Sequence, residues 1–260
     1  MINLLSLASE VGTIARAAGA EILAVYNTED FGVEFKADDS PLTRADKAAN
    51  VVIVTGLESL PTSFPIVSEE SKEIPYAERK TYKRFWLVDP LDGTKEFIKR
   101  NGEFTVNIAL VENDRPVLGV VYVPVADELY FAVNGLGAFQ ESKNHPIKAN
   151  SFSLSDPGLR VVASRSHLNE ATQAFMDQLN QPVIVSRGSS LKIIELAKGE
   201  ADLYPRLAPT MEWDTGAAQI ILEEAGGKIL DKATGHPLAY NKEVLRNNHF
   251  VAYGKVNSLA

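Results

Sequence analysis

Between Asn3 and Tyr26, the residues Leu4, Leu7, Ala8, Val11, Ala15, Ala18, Ile22 and Val25 fall on one face at helical spacing, which predicts an amphipathic helix. Phe31-Gly-Val-Glu-Phe-Lys36 then alternates apolar and polar residues, the pattern of a half-buried strand. A turn at Asp39-Ser-Pro-Leu42 leads into a second helix from Thr43 to Leu60, which Pro61–Pro65 breaks. A short strand at Ile66–Val67 runs into Ser68-Glu69-Glu70-Ser71. From Phe85 the pattern becomes strand-like. The apolar run Phe85–Val88 is expected to stop at Asp89-Pro90, where proline has no N–H for a sheet ladder. Thr105–Val111, Val117–Val123 and Glu128–Val133 follow as strands, joined by short turns at Asn113-Asp114 and Val125–Asp127. Consecutive strands with such short links imply an antiparallel meander.

The second part of the chain has a different rhythm. Strands at Val161–Ala163, Val183–Val185 and Asp202–Tyr204 alternate with helices at Glu170–Leu179 and Ser189–Ala197. A helix from Thr215 to Ala225 and strands at Lys228–Leu230 and Phe250–Tyr253 complete it. This alternation predicts a layered α/β lobe, against an N-terminal α+β lobe built on the meander. The polar stretch Ser151–Gly158 is the expected boundary, giving lobes of residues 1–155 and 156–260.

A chain of 260 residues is large for one growing core, so two closely packed lobes or one large layered domain are expected. No apolar run approaches the ~20 residues of a membrane-spanning helix, and Met1–Glu10 carries no secretory pattern. The absence of cysteine excludes disulfides and thiolate metal sites. A cytoplasmic location is the default reading. A peripheral position on the inner face of the cell membrane and a homodimer are both left open. The net charge of −8 argues against a nucleic-acid polymer as partner. It does not argue against a phosphorylated small molecule, because divalent metals and a few placed cations can reverse the local potential.

Candidate chemistry concentrates in Trp86-Leu-Val-Asp-Pro-Leu-Asp-Gly-Thr-Lys-Glu-Phe97. Asp89 and Asp92 can converge on one hard cation, with the Leu91 carbonyl as a further oxygen donor. The amides of Gly93 and Thr94, opening a short helical turn, can cradle a phosphate. The same segment also reads as a turn with two capping aspartates. Three other acidic positions carry the same ambiguity. Glu69 and Glu70 suit a metal or a solvated strand edge. Asp214, in Met211-Glu-Trp-Asp-Thr-Gly-Ala-Ala218, suits a metal or a helix N-cap. Asp46, in Thr43-Arg-Ala-Asp46, reads as surface charge unless something recruits it.

Together these four segments resemble the inositol monophosphatase-like superfamily of metal-dependent, lithium-sensitive phosphatases. The likeness runs in family order from Ala45-Asp46 to Trp213-Asp214, over nearly the whole chain. Asp89-Pro-Leu-Asp-Gly-Thr-Lys-Glu-Phe97 and Arg100-Asn-Gly-Glu-Phe-Thr-Val-Asn107 look like the bacterial 3′(2′),5′-bisphosphate nucleotidase branch. Plain inositol monophosphatases carry Asn in place of Glu96, and the Gly usual before the paired acids is Ser68 here.

The resemblance implies an α-β-α-β-α sandwich and two or more Mg²⁺ per site. Glu69, Asp89 and the Leu91 carbonyl would hold one ion, and Asp89, Asp92 and Asp214 another. Glu70 would steer waters, while Thr94 paired with Asp46 would orient and deprotonate the attacking water. The substrate would meet Glu69, Asp92, Gly93, Thr94, Lys95 and Asp214 around the scissile phosphate. A second phosphate would meet His167 in Ser164-Arg-Ser-His167, Ser189 and Lys192 in Gly188-Ser-Ser-Leu-Lys192, and Arg206 in Leu203-Tyr-Pro-Arg206. Singly, each of these also reads as a helix cap or surface cation. The implied reaction is hydrolysis of the 3′-phosphate of adenosine 3′,5′-bisphosphate to AMP, clearing a by-product of sulfate assimilation. The alternatives are an inositol or sugar phosphatase of the same superfamily, and a non-catalytic metal- or nucleotide-binding protein.

Overall fold

The computed structural model of the chain describes residues 3–35, 41–143, 145–163 and 169–258. Helix α1 (Leu4–Tyr26) starts at Asn3, whose side chain accepts from the amides of Leu5 and Ser6, and it buries Leu7, Val11, Ala15, Ala18 and Ile22. A short hairpin pairs β1 (Glu34–Phe35) with β2 (Pro41–Leu42). The half-buried strand expected from Phe31 is reduced to this exposed pair, and Lys36 to Ser40 lie outside the described residues. Phe31 is instead buried, its ring tilted at 56° to that of Phe97 with centroids 4.9 Å apart. Helix α2 (Arg44–Glu58) begins with a capping box in which Thr43 and Asp46 bond to each other's ends of the first turn.

Next come β3 (Ile66–Ser68), the short helix α3 (Tyr76–Arg79), β4 (Arg84–Asp92) and α4 (Thr94–Ile98). They are followed by β5 (Thr105–Glu112), β6 (Arg115–Val123), β7 (Glu128–Val133) and β8 (Gly137–Gln140). Strands β3 to β8 form one sheet in chain order; β3 runs parallel to β4, and every later pair is antiparallel. The expected meander is therefore present, extended by β8. Both of its faces are buried, which explains the nearly continuous apolar runs of β4 to β6. Trp86, Val88, Ile108, Leu110 and Val120 pack towards α1 and α2. Phe85, Leu87, Ala109, Val111 and Val121 face the opposite way, towards the C-terminal part.

That part comprises β9 (Ser151–Phe152), β10 (Arg160–Val162), α5 (Glu170–Met176), β11 (Val183–Val185), α6 (Leu191–Ala197) and β12 (Leu203–Arg206). Helix α7 (Gly216–Glu224), β13 (Lys228–Asp231), β14 (Phe250–Tyr253) and β15 (Lys255–Val256) close the chain. The second sheet has the order β11-β10-β12-β14-β13, with a parallel trio and an antiparallel edge pair. β9 pairs with β15 as a separate parallel ribbon. Helices α6 and α7 lie between the two sheets, contributing Ile193, Leu196, Ile220 and Ile221 to the core they share. The approach is close: a Cβ on Gly119 of β6 would sit 2.4 Å from the Ala217 carbonyl of α7, so only glycine allows it. Met176 of α5 packs on Val161 and Leu203 at the outer face of the second sheet. The layers are therefore α1/α2, sheet, α6/α7, sheet and α5, the α-β-α-β-α sandwich that the resemblance implies. No helix among the described residues is long and apolar enough to cross a membrane.

The second sheet is anchored by Asp202, which precedes β12. Its carboxylate accepts from the Arg160 amide (2.8 Å), Nε (3.0 Å) and Nη2 (2.7 Å), and from Asn150 Nδ2 (2.9 Å). Burial alone would raise this carboxyl, but the bonds from Arg160 and Asn150 outweigh it and hold it below the ordinary aspartate value. A group depressed in the folded state stabilises above its unfolded pKa, and that contribution disappears as pH falls through the folded one. We expect Asp202→Asn to lower unfolding stability at pH 7 by about 1.5–3 kcal/mol. In urea melts the gap between wild type and variant should narrow once the pH drops below about 4. A gap independent of pH would disprove the role of the charge.

Candidate active site

Two carboxylates at the end of β4 begin the site. β4 pairs with β5 regularly from Arg84↔Glu112 to Asp89↔Asn107, and the next pair is Asp92↔Thr105. Three steps on β4 thus match two on β5, a bulge centred on Pro90 and Leu91. Proline was expected to end the strand; instead it interrupts one rung, and pairing resumes at Asp92. The consequence is directional. Thr105 and Asn107, two apart, point to the same face, so Asp89 and Asp92 share that face although they are three apart.

Asp89 is buried at 2 % exposure, with Oδ1 accepting from the Leu91 amide at 3.1 Å. Burial pushes its carboxyl well above the ordinary value, and the charges of Glu69, Asp92, Asp214 and Asp46 push it further. Glu69 arrives from the end of β3, where its amide donates to the Val88 carbonyl at 3.1 Å. Asp214 comes from the segment before α7, with Oδ2 accepting from the Met211 amide at 2.9 Å. It is not the helix cap, because Thr215 holds that position. Burial and then the charge of Asp92 push Asp214 up to about 8, although Arg206 opposes them. The carboxylate oxygens of Glu69, Asp89 and Asp214 lie within 4.8 Å of one another. Mutual repulsion among buried carboxylates is relieved when a cation binds, and an all-oxygen donor set suits a hard one such as Mg²⁺. The residues present fit that ion.

Beside the cluster, Asp46 is buried, not surface charge. Its Oδ2 accepts from the Thr43 amide (2.7 Å) and hydroxyl (2.6 Å), while Oδ1 accepts from Thr94 Oγ1 at 3.1 Å. Burial raises its pKa against these three bonds. Thr94 Oγ1 also lies 3.4 Å from the Leu91 carbonyl. Gly93 precedes α4 with φ of +96°, a conformation that favours glycine and turns the chain out of the strand. Glu70 follows Glu69 half-buried, its amide donating to Ser68 Oγ at 3.4 Å.

Asp92 lies against the C-terminal part. Its Oδ2 accepts from Ser189 Oγ (2.7 Å), Ser190 N (2.6 Å), Ser190 Oγ (2.8 Å) and Asn107 Nδ2 (3.3 Å). The helix expected from Ser189 starts at Leu191, and the hydroxyls of Ser189 and Ser190 and the Ser190 amide are turned to Asp92. A cleft of about 700 Å³ opens beside them, with Asp92 and Asp214 on its wall and Lys95, Lys99, Arg187, Lys192 and Arg206 around it, together with Glu96 and Glu103. Lys192 Nζ donates to the Ser189 carbonyl at 3.2 Å. Arg206 donates through Nη2 to the Pro209 carbonyl at 2.8 Å, and its buried Nε has no hydrogen-bond partner among the described residues. His167 and its neighbours 164–168 lie outside the described residues.

Sequence reasoning passed over Thr105 and Asn107, although two polar side chains in an otherwise apolar strand were a usable signal. It also passed over Glu212 beside the site. This buried side chain accepts from the amides of Asn241 (2.6 Å) and Lys242 (3.1 Å) and pairs with Lys242 Nζ (2.6 Å). The 241–243 loop is fixed in turn by buried Arg79, through Asn241 Oδ1 (2.8 Å) and the carbonyls of Lys242 (3.2 Å) and Glu243 (3.1 Å). These contacts hold the Met211–Asp214 segment from behind, and nothing local in the chain announces them.

Known proteins are similar to this chain in sequence and fold. The protein named 3′(2′),5′-bisphosphate nucleotidase CysQ of Escherichia coli K12 is 45% identical over 232 residues, covering 89% of this chain and 92% of that one. The protein of the same name from Haemophilus influenzae is 35% identical over 251 residues, covering 95% and 93%. The crystal structure of CysQ from Bacteroides thetaiotaomicron superposes with a TM-score of 0.83 at 44% identity, covering 96% of this chain and 97% of that one. The profile of the inositol monophosphatase family matches residues 5–259. Sequence and fold therefore agree, and the chain belongs to the inositol monophosphatase family.

Proposed function

We propose that the chain is a Mg²⁺-dependent phosphomonoesterase that removes the 3′-phosphate of adenosine 3′,5′-bisphosphate, giving AMP and phosphate. The observation that carries this reading is the cationic cleft next to the acidic cluster. It has room for a nucleoside, and Lys192 and Arg206 both line it. A second phosphate would pair with these cations, as a guanidinium suits phosphate oxygens. The names of the relatives, at 45% and 35% identity, point the same way. The reaction would clear a by-product of sulfate assimilation in the cytoplasm.

Glu69, Asp89, Asp92, Asp214 and the Leu91 carbonyl would hold two or more Mg²⁺. When bound, the ions neutralise charge on the phosphate oxygens and acidify water. The chain's own residues handle position and protons. Thr94 has one hydroxyl hydrogen, and donating it to Asp46 Oδ1 at 3.1 Å leaves its lone pairs to accept from the attacking water. As water attacks phosphorus in line, its proton passes to Thr94 Oγ1 and the Thr94 hydrogen to Asp46. The bond from phosphorus to the 3′-oxygen breaks, and that oxygen takes a proton from solvent water to become the 3′-hydroxyl of AMP. Thr43 fixes the other oxygen of Asp46 through two bonds, so the acceptor does not rotate away. The burial that raises Asp46 also makes it a better proton acceptor. Glu70 would steer waters, and Gly93, Thr94 and Lys95 would line the scissile phosphate.

Asp89→Asn and Asp92→Asn should each lower kcat about 10²–10³-fold or more while the circular dichroism spectrum stays native. Folded variants with near-wild-type kcat would refute the ligand assignment. Chelation should abolish activity and Mg²⁺ restore it, with Li⁺ inhibiting in the millimolar range; full activity after exhaustive chelation would refute the metal mechanism.

The substrate class has its own test. Lys192→Ala and Arg206→Ala should each reduce kcat/KM for adenosine 3′,5′-bisphosphate about ten- to a hundredfold, a charge-assisted contact being worth about 1.5–3 kcal/mol. A monophosphate lacking the second group should lose almost nothing. Equal losses on both would reassign the two residues to the fold or the metal site. A wild type that prefers inositol 1-phosphate would place the enzyme among inositol phosphatases.

A further inference from the structure

Four hydrogen-bonding atoms surround one oxygen of Asp92, from both halves of the molecule, and two of them, the Ser190 amide and Asn107 Nδ2, can only donate. An oxygen so occupied has no lone pair left for a cation, so a cation held by Asp92 meets Oδ1. The rotation of the carboxylate then depends on the groups that grip Oδ2. Asn107 is the centre of that grip. It is 1 % exposed and uses its side-chain amide on Ser190 Oγ at 2.8 Å and on Asp92 Oδ2 at 3.3 Å. Its carbonyl oxygen accepts from Thr105 Oγ1 at 2.9 Å, which prevents the amide from flipping. Thr105 Oγ1 in turn lies 2.7 Å from Ser189 Oγ. Because Asn107 donates to Ser190, the single hydroxyl hydrogen of Ser190 can go to Asp92 Oδ2 (2.8 Å) or to the main-chain carbonyl of Asp214 (2.9 Å). Ser190 therefore ties Asp92, on the first sheet, to the backbone that carries Asp214.

We infer that Asn107, Ser189 and Ser190 are positioning residues that fix the Asp92 carboxylate relative to Asp214 and thereby set the affinity of the site for its divalent cation. The inference rests on the reading of Asp92 as a cation ligand. The three residues act through Asp92 and do not meet the reacting atoms. A purely structural role in joining the two sheets would lower thermal stability and leave the affinity of a folded protein for Mg²⁺ unchanged. A positioning role makes the opposite split: outer-shell partners of ligating carboxylates alter metal affinity even where the protein remains folded.

The experiment is calorimetric titration of Mg²⁺ into the full chain, as wild type, Asn107→Ala, Ser189→Ala, Ser190→Ala and Asp92→Asn. Folding is checked by circular dichroism, and kcat is followed as a function of Mg²⁺. We expect the Mg²⁺ Kd of Asn107→Ala and Ser190→Ala to rise about ten- to a hundredfold, with kcat largely recovered at saturating Mg²⁺. Ser189→Ala should move in the same direction and carries the test if a fully buried site proves intolerant. Folded variants at Asn107, Ser189 and Ser190 with a wild-type Mg²⁺ Kd would overturn the inference. If Asp92→Asn also binds Mg²⁺ like the wild type, the ligand reading of Asp92 itself has failed. If Asp92→Asn loses binding while the other variants do not, the positioning inference alone has failed.

Discussion

The rest of the site depends on one electrostatic constraint: several carboxylates are held together where burial and mutual repulsion both oppose their charge. Asp89 is enclosed at the end of β4, with Glu69, Asp92, Asp214 and Asp46 all raising its pKa. Enclosing one such charge without compensation costs several kcal/mol, so a chain that enclosed several would rearrange unless rigid elements prevented it. The elements here are rigid. β4 is hydrogen-bonded on both sides, and Trp86, Leu87 and Val88 are buried just before Asp89. Repulsion that the fold does not relieve is relieved when a divalent cation binds, which contributes to binding free energy and stabilises the loaded protein.

The bulge at Pro90 shows how far local reading carries and where it stops. The sequence contains Asp-Pro-Leu-Asp, and proline correctly signals that a ladder rung is lost. Whether the chain then leaves the sheet or rejoins it depends on β5, since register is a property of a pair of strands. Only the Asp92↔Thr105 pairing shows that the two aspartates share a face. The sheet itself was legible, because four-to-eight-residue apolar runs with turns between them admit few other interpretations. β8 was not, because Gly137-Ala-Phe-Gln140 is too short and glycine-initiated to stand out. The hairpin at Glu34–Phe35 was over-read for the opposite reason: Phe31 looks like a strand residue but is recruited by Phe97.

A similar divide runs through the site. Asp46 looked like a surface acid in an alanine-rich helix; its burial follows from contacts on both sides, the capping box with Thr43 and the hydroxyl of Thr94, 48 residues away in sequence. Ser189 looked like the start of a helix facing a second phosphate, and in the structure it and Ser190 bond to a carboxylate on the other sheet. In each case the residue type was informative about the bond it makes. The chain could not say which of several acids or anions lies at the other end, because that is decided by packing between layers.

The separation of cluster and cleft resolves how a protein of net charge −8 can handle a highly anionic substrate. Fields in a protein are local, since mobile ions screen exposed charges beyond about 10 Å at ordinary ionic strength. The excess acids on the outer surface therefore count for little inside the cleft. What counts is the set of groups on its wall: carboxylates at one end, where a cation would invert their sign, and around the rest Lys95, Lys99, Arg187, Lys192 and Arg206, which outnumber Glu96 and Glu103 there. In the proposed reaction the carboxylate end would fix which bond is broken, because Thr94 and Asp46 would orient the water there. The cations of the wall would fix which molecules reach that end with their second charge satisfied. Two requirements met by separate groups can vary separately, and that allows one metal chemistry to serve different phosphate esters when only the wall is changed.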